Sequence, residues 1–157
     1  MAKTAKATDA KAGKGYKLLE HKADVLFEAA GASFERALEA AAQALFDTIA
    51  KTSKLKAAKK IKISQSAPSL EELVVFTLGS LLTESDANEV FFKEFKVTRF
   101  KEKNGRFVVE GEASGENEKP EFGGTVVKAV TFHELRVAKP DAKKGSREWR
   151  IRVLLDV

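Results

Sequence analysis

The sequence predicts an α+β fold: a two-layer sandwich of a mainly antiparallel sheet with two helices on one face. Three observations carry this. Segments 34–50 and 69–83 repeat apolar residues at helical spacing. From residue 90 onward the chain reads as a run of strands. Asn104-Gly105, the strongest short hairpin signal, sits between two of them.

Segment 16–31 holds Leu18, Leu19, Val25 and Phe27 in short apolar runs and reads as one or two strands. Ser33 offers an N-cap. Phe34, Ala37, Leu38, Ala41, Leu45, Phe46 and Ile49 then recur along one face, so 34–50 is an amphipathic helix. Its alanines favour helix and permit close packing on a sheet. Segment 60–64 is a short strand candidate. Ser69 and Glu72 form a capping box directly after Pro68. Leu70, Leu73, Val74, Leu78, Leu81 and Leu82 carry the second helix to about residue 83. It is apolar on most sides and should be well buried. Strands are expected at 90–103 and 106–114, followed by a polar loop over 115–124. A long strand is expected over 125–138 and a turn over 140–146. Segment 148–157 alternates, with Trp149, Ile151, Val153 and Leu155 on one face.

The chain has 157 residues, 43% apolar and 32% charged, which fits one globular domain and excludes collagen-like and wholly disordered chains. It contains no cysteine, so disulfides, thiolate zinc sites and cysteine nucleophiles are excluded. No apolar run approaches the ~20 residues of a membrane helix. The N-terminus lacks the apolar core of a secretory signal, and a cytoplasmic protein is expected.

The formal charge is +5, from 28 Lys/Arg and 23 Asp/Glu. Residues 1–15 hold four lysines against Asp9, which leaves 24 basic and 22 acidic residues in 16–157. Segment 1–15 has no large apolar residue after Met1 and reads as a disordered basic tail. Residues 16–157 form the expected folded domain. Within it the charges are segregated. One basic run is Lys51, Lys54, Lys56, Lys59, Lys60 and Lys62; another is Lys143, Lys144, Arg147, Arg150 and Arg152. Between them lies an acidic stretch of Glu110, Glu112, Glu116, Glu118 and Glu121. Aromatic residues are not interleaved with the basic runs as a single-strand stacking platform requires.

The chain has no phosphate-binding glycine loop, no dinucleotide fingerprint and no nucleophile elbow. Its two histidines, His21 and His133, exclude a histidine-rich metal site. A metal here must be held mostly by oxygen, which favours calcium- or magnesium-type ions. His21 and Asp24, at i and i+3 around a bend, read as a hydrogen-bonded or metal-binding pair, or as an Asx-turn. Lys128, among apolar neighbours, is either snorkelling at a strand end or paired with a carboxylate. His133 reads as a core or edge histidine, or as a site residue. Asp156 closes an apolar strand beside the carboxylate of Val157, and reads as a cation site or as a solvated terminus.

Taken together, these residues resemble the archease family over about 16–157. The resemblance rests on His21-Lys22-Ala23-Asp24 with Glu28-Ala29, on Lys128-Ala129-Val130-Thr131-Phe132-His133, and on the closing Leu155-Asp156-Val157. Lys22, Leu26, Phe132, Thr77 and Ser80 stand where that family more often carries other residues. The resemblance implies a protein that is not itself an enzyme but activates an RtcB-type RNA ligase. It would promote guanylylation and multiple turnover in tRNA splicing and RNA repair, with GTP and tRNA engaged through the ligase. It also implies a divalent cation at Asp24, Asp156 and Val157, with Lys128, His21 and His133 facing nucleotide or partner. Chaperone-like modulation of tRNA methylation is a further role described for the family. Two other readings compete. One is a metal-dependent phosphoesterase built on His21, Asp24 and Asp156. The other is an RNA-binding module using the basic tail and the run 51–62, with affinity that falls steeply with salt.

Overall fold

The computed structural model describes residues 15–19 and 24–157. The element order is β1 (Tyr16–Leu19), β2 (Asp24–Gly31), α1 (Phe34–Ile49), β3 (Lys59–Ala67), α2 (Leu70–Asn88), β4 (Val90–Lys103), β5 (Arg106–Asn117), β6 (Ala129–Ala138) and β7 (Trp149–Asp156). Every strand pairing is antiparallel. The strands form two sheets, one of four in the order β1-β2-β7-β6 and one of three in the order β3-β5-β4.

Both helices pack against both sheets. α1 lies on β2 and β7 of the larger sheet and on β4 of the smaller; α2 lies on β6 and on β3. The core between them is continuous. It joins Phe27, Ile151 and Val153 of the larger sheet to Phe92, Phe95 and Val109 of the smaller, with Leu38, Leu45, Leu73 and Leu78 from the helices. α1 starts as expected, with the Ser33 hydroxyl accepting the Arg36 N–H at 3.1 Å. Ser69 caps α2 in the same way through the Glu72 N–H. α2 runs past residue 83 to Asn88, where Glu89 adopts a left-handed conformation and ends it. In the β4–β5 hairpin, Asn104 and Gly105 both have positive φ, as a type I′ turn requires.

Segment 125–138 is a strand only from Ala129. The residues before it have another use for their backbone. The N–H groups of Gly124 and Thr125 donate to the Ile49 and Thr48 carbonyls, satisfying the open C-terminal end of α1. Val127 then drops into the core, 5% exposed, and leaves Lys128 at the mouth of β6.

The charge segregation of the sequence is resolved by strand pairing. β3 lies beside β5 with Lys62 opposite Glu112 and Lys60 opposite Ser114. On its other side β5 meets β4, with Lys96 opposite Glu112 and Arg99 opposite Glu110. Lys60 Nζ lies 3.9 Å from Glu112. Glu116 accepts the Lys56 N–H at 2.7 Å. Within the basic run 51–62, Lys60 thus makes an ion pair with the acidic stretch and Lys62 lies opposite it, while the six lysines stay exposed.

Candidate functional site

β2 and β7 pair without interruption over eight positions, from Asp24 opposite Asp156 to Gly31 opposite Trp149. Val25, Phe27 and Ala29 alternate inward and meet Leu155, Val153 and Ile151. Asp24 and Asp156 therefore share the outer face, because strand side chains alternate. Directly opposed residues of an antiparallel pair hold their Cβ atoms roughly 4.5–5.5 Å apart. Two carboxylates separated by more than 130 positions in sequence are thereby brought side by side.

β6 completes the corner. Ala129 is the partner of Asp156 on the other side of β7, and the Lys128 N–H donates to the Asp156 carbonyl at 2.7 Å. Lys128 and Asp156 are both exposed, and Asp24 is half-buried. The next row inward on the same face is apolar: Leu26 and Leu154, opposite one another, are each 5% exposed. The acid pair thus has packed hydrocarbon on one side and solvent on the other.

Of the residues expected at the site, Asp24 and Asp156 are opposed across the β2–β7 ladder, and Lys128 adjoins Asp156 through a main-chain hydrogen bond. The Val157 side chain packs against the core, so only its main chain is available there. His133 lies four positions beyond Ala129, inside an irregularity of β6. Pairing breaks off at Thr131–Leu154 and resumes at Arg136–Arg152, so four residues of β6 oppose only Val153. Glu134 has positive φ within this bulge, and the His133 N–H is held by the Thr131 hydroxyl at 3.2 Å. His133 is exposed there, not in the core. His21 and the tail residues 1–14 lie outside the described residues.

As a cation site, the corner offers two hard carboxylates. Among the described residues no group of three or more His, Cys, Asp or Glu side chains is placed to hold a metal ion. The donor set therefore suits a hard, oxygen-seeking cation that keeps several positions for water or a second molecule. Around Lys128 the surface is apolar in places. Among the described residues the exposed large apolar side chains are Phe76, Val126 and Phe132, and the last two flank Lys128 in sequence. Exposed apolar groups beside a charged corner suit contact with a macromolecule. No described helix is long and apolar enough to cross a membrane.

A different group of titratable residues sits at the far end of α2. Partial burial and the nearby carboxylates Glu89 and Asp86 push the Glu118 carboxyl upward from its ordinary value. At the other edge of the larger sheet, the Tyr16 hydroxyl donates to Asp47 at 2.7 Å. Asp47 also accepts from Gln43 and Thr52, joining α1 to β1 and to the turn at Thr52–Lys54. Burial first, and then Asp47, push the Tyr16 hydroxyl well above its ordinary range.

Comparison with known proteins assigns relatives to this arrangement. The family model described as the Archease protein family (MTH1598/TM1083) matches residues 16–157. The chain is 35% identical over 147 residues to the protein archease of Methanosarcina mazei, covering 92% of this chain and 97% of that protein. It is 33% identical over 141 residues to the protein archease of Pyrococcus furiosus, covering 88% and 95%. The solution structure of Methanobacterium thermoautotrophicum protein 1598 superposes with a TM-score of 0.77 at 29% identity, covering 92% of this chain and 99% of that one. The crystal structure of an archease from Thermotoga maritima, described as a possible chaperone, shares the fold, with a TM-score of 0.56 at 19% identity and coverage of 88% and 94%.

Proposed function

The chain belongs to the archease family, and on that premise we propose that it is a protein cofactor of an RtcB-type RNA ligase. In this reading it is not itself an enzyme. It promotes guanylylation of the ligase and multiple turnover in tRNA splicing and RNA repair, and meets GTP and tRNA through the ligase. The observation that carries the reading is the corner formed by Asp24, Asp156 and Lys128 at three adjacent strand ends.

The chemistry of that corner supports work done in trans. Asp24 and Asp156 would hold a divalent cation of the calcium or magnesium type, whose charge offsets that of phosphates. Lys128 adds a mobile ammonium at the same rim, suited to a phosphate oxygen or a partner carboxylate. The buried Leu26–Leu154 row keeps water from the inner side of the acid pair, which strengthens its charge interactions. An open corner with exposed Val126 and Phe132 beside it fits insertion against another protein better than enclosure of a small substrate.

The test is multiple-turnover ligation of a broken tRNA by the cognate ligase with GTP. Wild-type protein raises the number of turnovers per ligase. Asp24→Asn and Asp156→Asn, which preserve shape, remove most of that stimulation. No stimulation by the wild type, or equal stimulation by both variants, contradicts the reading.

A further inference from the structure

The +5 of the chain has a local counterpart in the folded domain. Between Arg136 and Arg152 there are seven Lys/Arg and two Asp/Glu. Both acids are engaged. Asp141 accepts the Lys143 N–H at 3.0 Å and caps the turn at Ala142–Lys144. Glu148 lies 3.9 Å from Arg150. Arg136, Lys139, Lys143, Lys144, Arg147 and Arg150 are all exposed.

The pairing concentrates this charge. Arg136 is directly opposite Arg152, and Arg150 is two positions along on the same outer face. The row continues across the sheet through Glu28 to Lys17. Glu28 is shared by Lys17 at 4.0 Å, Arg150 at 3.9 Å and Arg152 at 3.5 Å. Arg136 makes no ion pair among the described residues, and the Arg152 Nε is buried without a partner. Like charges placed directly opposite on neighbouring strands oppose folding. Here the excess sits on the paired ends of β6 and β7, whereas the lysines of β3 lie beside the glutamates of β5.

We propose that the β6–β7 hairpin is a contact surface for the phosphate backbone of double-stranded RNA. The length of the cationic track favours a polyanion over one acidic protein patch. From Arg152 to Trp149 a strand rise of about 3.3 Å per residue gives roughly 10 Å, and the exposed Arg147, Lys144 and Lys143 extend the track into the connecting turn. A duplex carries a phosphate for roughly every 1.7 Å of its axis, so the track meets a run of phosphates. Guanidinium groups pair with phosphates in a bidentate manner. Between Arg136 and Arg152 the one aromatic, Trp149, is half-buried and packs edge-on against Phe34 at 5.7 Å, so the basic stretch itself offers no stacking platform for unpaired bases. The choice of RNA over DNA rests on the ligase reading; the cationic surface itself does not.

The test is binding of a fluorescent RNA duplex to the full chain alone, across a salt series and without ligase. A variant with Arg136→Ala, Lys143→Ala, Lys144→Ala and Arg147→Ala alters only exposed side chains and should keep its circular dichroism spectrum. Its affinity is expected to fall about tenfold or more, with a shallower dependence of log Kd on log salt. Lys3, Lys6, Lys11 and Lys14 changed to Ala, and separately Lys60→Ala with Lys62→Ala, are expected to have smaller effects. Unchanged binding by the hairpin variant overturns the proposal, as does tighter binding of polyglutamate than of RNA. Because ligase is absent, failure here leaves the ligation result standing.

Discussion

Asp24 and Asp156 are directly opposed across the β2–β7 ladder, two carboxylates on one face with Lys128 tied to the same rung. Opposed like charges destabilise a strand pair, and a cation between them reverses the sign. Asp156→Asn should therefore raise the stability of the chelated protein by about 0.2–1 kcal/mol. Calcium or magnesium should then stabilise the wild type more than the variant. Thermal unfolding in chelator and in excess cation checks both. A variant less stable than wild type in chelator contradicts the pairing.

Lys128 contributes its backbone to the fold and its side chain to solvent. Lys128→Ala should leave stability within about 0.5 kcal/mol, as exposed substitutions do. Its effect should appear in stimulated ligation, with partial recovery in Lys128→Arg. Parallel loss of stability and stimulation would mark it as structural instead.

Tyr16 is the chain's single tyrosine, so its ionisation can be followed by tyrosinate absorbance. Its hydroxyl is raised in the folded state by burial and by Asp47. The unfolded chain loses this proton near pH 10 while the folded chain keeps it. The stabilising contribution is thus complete below about pH 10 and declines as pH rises further. Tyr16→Phe should show a shallower loss of stability in that range than wild type. Titration of Tyr16 at its ordinary value would contradict the Asp47 contact.

Glu116 is 9% exposed, accepts the Lys56 N–H and lies 3.5 Å from Lys119. Glu116→Ala should cost about 1.5–3 kcal/mol, the range for a hydrogen bond to a charged group. Lys60→Ala, at an exposed pair, should cost no more than about 1 kcal/mol. Denaturant midpoints distinguish them. Equal effects would show that the basic run is not anchored through Glu116.

Local signals made much of the fold legible. Apolar spacing marks both helices, Ser33 and Ser69 mark their starts, and Asn104-Gly105 marks the hairpin. Non-local pairing was not legible. Nothing in the spacing shows that the strands divide into two sheets, or that the lysines of β3 lie beside the glutamates of β5. Segment 125–128 has strand-like composition, yet the open end of α1 claims the N–H of Thr125 and of Gly124 before it. The bulge that exposes His133 depends on a left-handed Glu134, which composition does not signal. For the site, Asp24, Lys128 and Asp156 carry no mutual spacing. The family resemblance singled them out, and the strand order β2-β7-β6 is what makes them neighbours.

The proposed cation would span two strands, between Asp24 and Asp156. Manganese(II), a paramagnetic stand-in for the hard cation, tests it through backbone amide spectra. The amides of Asp24, Ala129 and Asp156 should broaden first, and Asp156→Asn should remove the effect. Broadening centred instead on the carboxylates Asp86, Glu89 and Glu118, or spread evenly over the acidic surface, would contradict it.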